Sequence, residues 1–304
     1  FAFENPLEYL FGIVTLNHKG TKAQRSTEYE AVWVMSPSEE KKAFERFIGM
    51  VMEPRRQFPD MHVYHYGAYE ETAIKRMAGQ HSTCVDEVDE LLRGEVLVDM
   101  YRAVKQGLRA SVESYSIKKL EPFYHYTRDV DLRDANRALT TFQAVLAFAP
   151  GEEDLAELKN AIEGYNRDDC ISALRLRDWL EELRQELQEQ TGRELARPSV
   201  KHAESEEDLA EYLRRVREVE KRLLVGLPED RDEWDDAEEA RWLLAQLLEW
   251  HRREDKSSWW NYFRLCDLSD QELIEDKTAL GGLVYVGEVG KVKKSIVHRY
   301  KFAL

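Results

Sequence analysis

The side-chain periodicity of this chain changes three times within its opening segments, and that succession constrains the fold more than any other feature. Residues 7–16, LEYLFGIVTL, and 28–35, EYEAVWVM, are dense in β-branched and aromatic residues. The NHKGTKAQRS between them has turn composition, so an antiparallel hairpin is expected. SPSEEKKAFERFIGMVM then shifts to helical spacing. Ser36 or Ser38 can cap it, acids fill its first turn, and Phe44, Phe47, Ile48 and Val51 form an apolar stripe. HVYHYG, residues 62–67, reads as a short strand leading into the helix AYEETAIKRMA. From 86 to 183 the pattern is mostly helical, interrupted at Gly94, SVESYSIKKLEPFY and AFAPGE. Strand, strand, helix, strand and then helices describe an α/β domain built on a sheet.

After Arg197-Pro198 the texture changes. Residues 204–225 read as an acid- and Arg-rich helix, 235–254 as a second with WLLAQLLEWHRR as its apolar stripe, and SSWWNYFRLCDLSDQELIED as further helix. GGLVYVGEVGKVKKSIVHRYKFAL returns to alternation and predicts two strands around a Gly-Lys turn. The expected organisation is a domain over 1–195, a helical extension over 196–280 and the start of a β-rich segment over 281–304.

Composition narrows the function classes. The chain carries 59 acidic against 44 basic residues, a net charge of −15. That argues against a broad, sequence-blind nucleic-acid surface, which is normally basic. It leaves room for an enzyme that grips a strand end through metal ions, since the metals bring their own positive charge. No run approaches the ~20 apolar residues of a membrane span, and no signal peptide is visible. Cys84, Cys170 and Cys266 are isolated, so neither a disulfide framework nor a zinc cluster is indicated, and a reducing, cytoplasmic setting is expected. Phe1 is not an initiator Met, and the chain reads as a fragment of a longer protein.

YNRDDC, residues 165–170, precedes an apolar-periodic run and is expected to open a helix, with Tyr165 and Asp169 on one face. A carboxylate binds a hard cation through oxygen, and a phenol beside it can orient an attacking water, which suits a metal-assisted phosphodiesterase. The competing reading is an ordinary helix start, because Asp residues there are stabilised by the macrodipole. In the second reading Asp168 is only a helix-start residue. VYHYGAYEETAI sets His65, Tyr69 and Glu70 at a strand-to-helix junction, where His65 can be a structural strand-end residue or a ligand.

Together these segments resemble the DEDD exonuclease superfamily. The second motif there usually reads His-Asn-x-x-Phe-Asp, and here Tyr66 stands for Asn, Tyr69 for Phe and Glu70 for Asp. YNRDDC resembles the tyrosine form of the third motif, with Tyr165 and Asp169 matching. The ordered set LEYLFG, HYGAYEETAIKRM, SYSIKKLEPFY, YNRDDC, WLLAQLLEWHRRE, WWNYF and ALGGLVYVGEVG resembles RecB-like nucleases whose RNase H-like domain is fused to a superfamily 1 helicase. The resemblance implies an RNase H-like mixed sheet flanked by helices, a helical extension and a short C-terminal β-hairpin leading to the helicase portion. It also implies a 3′–5′ exonuclease module acting on DNA ends, with two Mg²⁺ or Mn²⁺ ions held by Glu70, Asp169 and a first-motif Asp-x-Glu pair. Asp99 and Tyr101 match the segment preceding the family's next helix, and Lys118 and Lys119 in the SYSIKKLE connector could reach a phosphate. The first motif belongs upstream of Phe1; in the other register Glu4 and Ala2 occupy its positions. Its absence leaves open a non-catalytic module that docks nucleic acid or positions a helicase, and predicts little metal-dependent cleavage by this chain alone. Trp259 and Trp260 read as core or as base-stacking residues, and GKVKK as a solvated turn or a phosphate contact. GEVG lacks the Lys-Ser/Thr of a phosphate-binding loop.

Overall fold

The computed structural model describes residues 7–18, 25–148, 153–197, 199–200, 207–228, 231, 234–276, 278–293 and 295–302. Chain contacts divide it into two compact units, Phe1–Leu209 and Ala210–Leu304.

The first unit opens with the expected hairpin: β1 (Leu10–His18) pairs antiparallel with β2 (Arg25–Trp33), in a register that sets Leu10 against Trp33 and Val14 against Tyr29. The helix α1 (Pro37–Gln57) follows with Ser36 at its N-cap, and it buries Phe44, Ile48 and Val51 from the anticipated stripe. Phe47 packs instead at a tilt against Phe11 of β1, with ring centroids 5.4 Å apart. β3 (Val63–His65) leads into α2 (Tyr69–His81), and α3 (Val85–Arg93) precedes β4 (Leu97–Asp99). β3 and β4 pair in parallel, so both strand directions are present in the α/β arrangement that the sequence predicts. Each described ladder is two-stranded. The LVD strand was hidden in a stretch of helical composition, because three residues are too few for a period-two signal.

α4 (Met100–Gly107), α5 (Ile117–Leu120) and a short 3₁₀ turn (Glu121–Tyr124) lead to α6 (Leu132–Phe148) and the 39-residue α7 (Glu153–Thr191). YNRDDC therefore does not open a helix; it lies inside α7. Its polar residues divide between faces of the continuing helix, Asp169 toward the cleft and Asp168 buried against the 126–130 loop. Phe142 and Ile162 from α6 and α7 receive Tyr9 and Trp33, whose rings lie 5.2 and 5.7 Å from Phe142. Fully burying such side chains contributes ~1.5–3 kcal/mol each, which fixes the hairpin against α7. A second cluster, Met100, Val104, Leu120 and Leu176, ties α4 and α5 to α7.

In the second unit, α8 (Glu207–Leu224) is followed by α9 (Asp236–Leu247), α10 (Trp250–Cys266) and α11 (Asp270–Glu275). The helix expected over 235–254 is broken at Leu248–Glu249, where Glu249 takes a left-handed φ of 62°. Capping boxes at Asp235/Glu238 and Ser269/Glu272 satisfy the first N–H groups of α9 and α11. The predicted C-terminal hairpin forms from β5 (Val284–Val292) and β6 (Ser295–Lys301), but its turn begins at Lys293, and Gly290 and Lys291 belong to the strand. Trp260 is buried while Trp259 is exposed beside Tyr262 and Phe263.

Candidate active site

A cleft of about 1440 Å³ opens in the first unit, and β1, α1, β3, α2 and α7 all contribute to its wall. Glu70 and Asp169, far apart in sequence, both line it, as do His65, Lys118, Asn166 and Cys170.

The Glu70 side is built by the strand-to-helix corner. Gly67 turns there with φ +98°, a conformation that side chains with a Cβ rarely adopt. Its N–H donates to Asp99 Oδ1 at 2.8 Å, and its carbonyl lies 2.7 Å from His65 Nδ1. Asp99 also caps α4 by accepting from the N–H of Tyr101, so its role here is to lock the corner to the neighbouring helix. Glu70 sits in the first turn of α2, where the helix dipole favours a carboxylate, and its side chain is 48% exposed. His65 is buried, with Nδ1 3.6 Å from Glu70 Oε2 and Nε2 without a hydrogen-bond partner. Burial disfavours the imidazolium, but Glu70 and then Asp99 outweigh it and raise the ring above its ordinary value.

The α7 side is more heavily braced. Asp169 Oδ1 accepts from Arg128 Nη2 at 2.7 Å. Arg128 in turn clasps Glu121, with Nη2 at 2.6 Å and Nε at 2.9 Å from Oε1, and Ser172 Oγ donates to the same oxygen at 2.9 Å. Burial raises the Asp169 carboxyl above its usual range, and the Arg128 hydrogen bond only partly offsets this. Cys170, on the same wall, is pushed up to about 12 by burial and then by the charges of Asp169 and Glu70. Tyr165 shares the Asp169 face and accepts a hydrogen bond from Lys118 Nζ, and the Arg128 guanidinium lies 5.4 Å from its ring centroid. Asn166 Oδ1 accepts from Tyr29 at 2.9 Å across the approach of β1. A Cβ on Gly12 would sit 1.7 Å from that oxygen, so any larger residue there must displace the Asn166 side chain and its bond to Tyr29.

Of the expected residues, Tyr165, Asp99, Asp168 and Lys119 are not among those that line the cleft. Asp168 is buried and points the other way, accepting from the Tyr126 hydroxyl at 2.7 Å and from the N–H groups of Asp129 and Val130. Lys119 is exposed and pairs with Glu113 at 3.2 Å. Glu4 and Ala2, the alternative first-motif register, lie outside the described residues. Arg128 and Glu121 were not anticipated from sequence; neither shares a helix with Asp169, so no local spacing announces their meeting.

Among the described residues no group of three or more His, Cys, Asp or Glu side chains is arranged to hold a metal ion. Glu70 and Asp169 face the cleft from α2 and α7, and carboxylate oxygens of this kind suit a hydrated Mg²⁺-type ion, which commonly takes one or two carboxylates and keeps several waters. A second ion would need donors beyond these.

The strand corner and the long helix of this α/β scaffold both present carboxylates to one cleft. The model of the RNase H superfamily matches residues 3–181, and the chain belongs to that superfamily. Its members are typically nucleic-acid hydrolases and usually use divalent metals. No curated protein and no solved structure matches the chain. No helix among the described residues is long and apolar enough to cross a membrane.

Proposed function

We propose that this chain carries a metal-dependent 3′–5′ exonuclease domain of DEDD type that acts on DNA, in a RecB-like protein whose 196–280 extension and 281–304 β segment lead to a helicase portion. The observation that carries the reading is that Glu70 and Asp169, matched independently to two motifs, line one cleft. Mg²⁺ or Mn²⁺ bound there would supply Lewis-acid activation of water and stabilise the leaving 3′-oxygen. Glu70 and Asp169 are the residues that would hold it. Tyr165, with its hydroxyl fixed by Lys118, would orient the water, and the Lys118 ammonium would meet a phosphate at the cleft edge. The acidic surface is compatible with this, since a strand end needs only local positive charge.

The test is degradation of a 3′-labelled single strand with Mg²⁺ or Mn²⁺, by this chain and by a longer chain that includes upstream residues. Degradation by the longer chain that disappears in Asp169→Asn supports the reading. Undiminished cleavage by Asp169→Asn sinks it. A second reading, a non-catalytic module that docks nucleic acid, is favoured by the Arg128 pairing of Asp169 and by the few metal donors grouped among the described residues. It predicts strand binding without cleavage in both chains.

A further inference from the structure

The geometry points to Arg128 as a positioning residue of the cleft. It would hold Asp169 by one oxygen, so that this carboxylate meets a cation through Oδ2 alone, and it would fix Tyr165 beside it. The inference rests on the nuclease reading of Asp169 and adds a residue that no motif contains.

Three observations carry it. First, Arg128 is seated independently of Asp169. Its side chain is 7% exposed and is held by both Nε and Nη2 on Glu121, itself buried and engaged by Ser172, whose hydroxyl lies 2.9 Å from that of Tyr124. Two guanidinium nitrogens converge on Oε1, and Nε also lies 3.2 Å from Oε2, which fixes orientation as well as distance. Second, the loop that carries Arg128 is pinned from α7 itself. Asp168 accepts from Tyr126, Asp129 and Val130, the residues on either side of Arg128. Adjacent aspartates of one motif thus divide the work: Asp168 holds the loop, and Asp169 receives the guanidinium that the loop delivers. Third, the guanidinium reaches two proposed site residues at once, with Nη2 on Asp169 Oδ1 at 2.7 Å and its centre 5.4 Å from the Tyr165 ring. Among the described residues Asp169 Oδ2 has no such partner and is the oxygen left for a cation.

A guanidinium already on a carboxylate competes electrostatically with a divalent ion for it, yet holds that carboxylate in one orientation. Removing it should therefore move two quantities in opposite directions, whereas a merely structural role moves both the same way. The experiment measures Mn²⁺ affinity by calorimetry and single-strand cleavage, on the longer chain that includes upstream residues. In Arg128→Ala, Mn²⁺ should bind at least threefold tighter while kcat falls at least tenfold with KM within twofold. Because that variant leaves Glu121 buried without its partner, the double variant Glu121→Gln with Arg128→Met removes both charges together and should give the same signature. Arg128→Lys keeps the charge without the planar clasp, so its Mn²⁺ affinity should match the unsubstituted chain and its kcat should fall between. Weaker Mn²⁺ binding in both the Ala and the double variants, or kcat within twofold in them, would overturn the positioning role. Failure of the unsubstituted chain to bind Mn²⁺ at all would overturn the nuclease reading, and this inference with it.

Discussion

The two walls of the cleft hold their carboxylates in opposite ways. At the strand corner, Glu70 stands half-exposed at a helix start, and the strength lies behind it, where Asp99 locks Gly67 to α4. On α7, Asp169 lies mid-helix with no dipole to favour it, in a setting that raises its carboxyl, and a buried guanidinium compensates. The first wall is mostly a local solution, a strand end, a left-handed glycine and an acidic first turn in consecutive residues, with one distant tie from Asp99. The second is a tertiary solution, assembled from a 3₁₀ turn, a loop and a helix that only the fold brings together. A local site tolerates change around it, whereas a tertiary one transmits it.

The largest expected effect follows directly. Asp169→Asn should abolish metal-dependent cleavage, by at least a hundredfold or ~2.7 kcal/mol of transition-state stabilisation, because the cleft loses an ion's ligand and Arg128 loses its second carboxylate. Glu70→Gln should also impair cleavage but leave thermal stability unchanged, since its side chain is lightly held. Equal destabilisation by both would erase the distinction between the walls.

Asp168→Asn comes next, and it acts mainly on stability. An amide offers one acceptor oxygen where the carboxylate serves a hydroxyl and two backbone N–H groups, and its NH₂ would face another donor. Leaving a buried donor unpaired costs about 1–3 kcal/mol. Thermal unfolding should show that loss, with cleavage reduced less than in Asp169→Asn. Unchanged stability would mean that the loop carrying Arg128 is held by something other than Asp168.

This contrast also explains what was legible in the sequence. The hairpin, α1, the 62–67 strand and α2 follow from local periodicity, and so does the Glu70 corner. Tyr165 and Asp169 were correctly placed on one face, because i and i+4 coincide wherever in a helix they fall. The start of α7 differs from the expectation because an Asp-rich turn has the same composition at a helix start and in mid-helix, where here tertiary partners hold Asp168 and Asp169. The brace itself was invisible. Arg128 and Glu121 meet through a left-handed residue, His125, that follows the 3₁₀ turn, and no spacing rule anticipates that geometry. Gly12 is a similar case. Its close contact is with the Asn166 side chain on a distant helix, and strand composition alone says nothing of it.

A smaller effect separates the connector lysines. Lys118 donates to the Tyr165 hydroxyl and lines the cleft, whereas Lys119 reaches out to Glu113. Lys118→Ala should lower cleavage severalfold and weaken strand binding. Lys119→Ala should change neither beyond twofold, since an exposed pair of that kind contributes ~0–1 kcal/mol. Equal losses in single-strand binding assays would show that the connector acts as a basic patch and not through one directed side chain.

The smallest effect at the cleft is expected from a charge cluster further along the same helix. Glu181 is held down to about 2 by hydrogen bonding to Arg184, opposed by slight burial and reinforced by Arg197 and Gln185. Arg197 reaches it at 2.5 Å from the segment that follows α7. A carboxyl lowered in the folded chain contributes stability that is present above its unfolded value near 4.5 and is lost as pH falls through about 2. Comparing Glu181→Gln with the unsubstituted chain, the difference in unfolding midpoint should be constant near neutrality and shrink between those two values. The pairs are solvent-screened, so the difference should be small and should fade with salt. Cleavage at neutral pH should not change, because Glu181 lies three turns beyond Asp169 and touches none of its braces. A loss of cleavage in Glu181→Gln would show that α7 transmits strain along its length, and the tertiary wall would then extend well past Arg128.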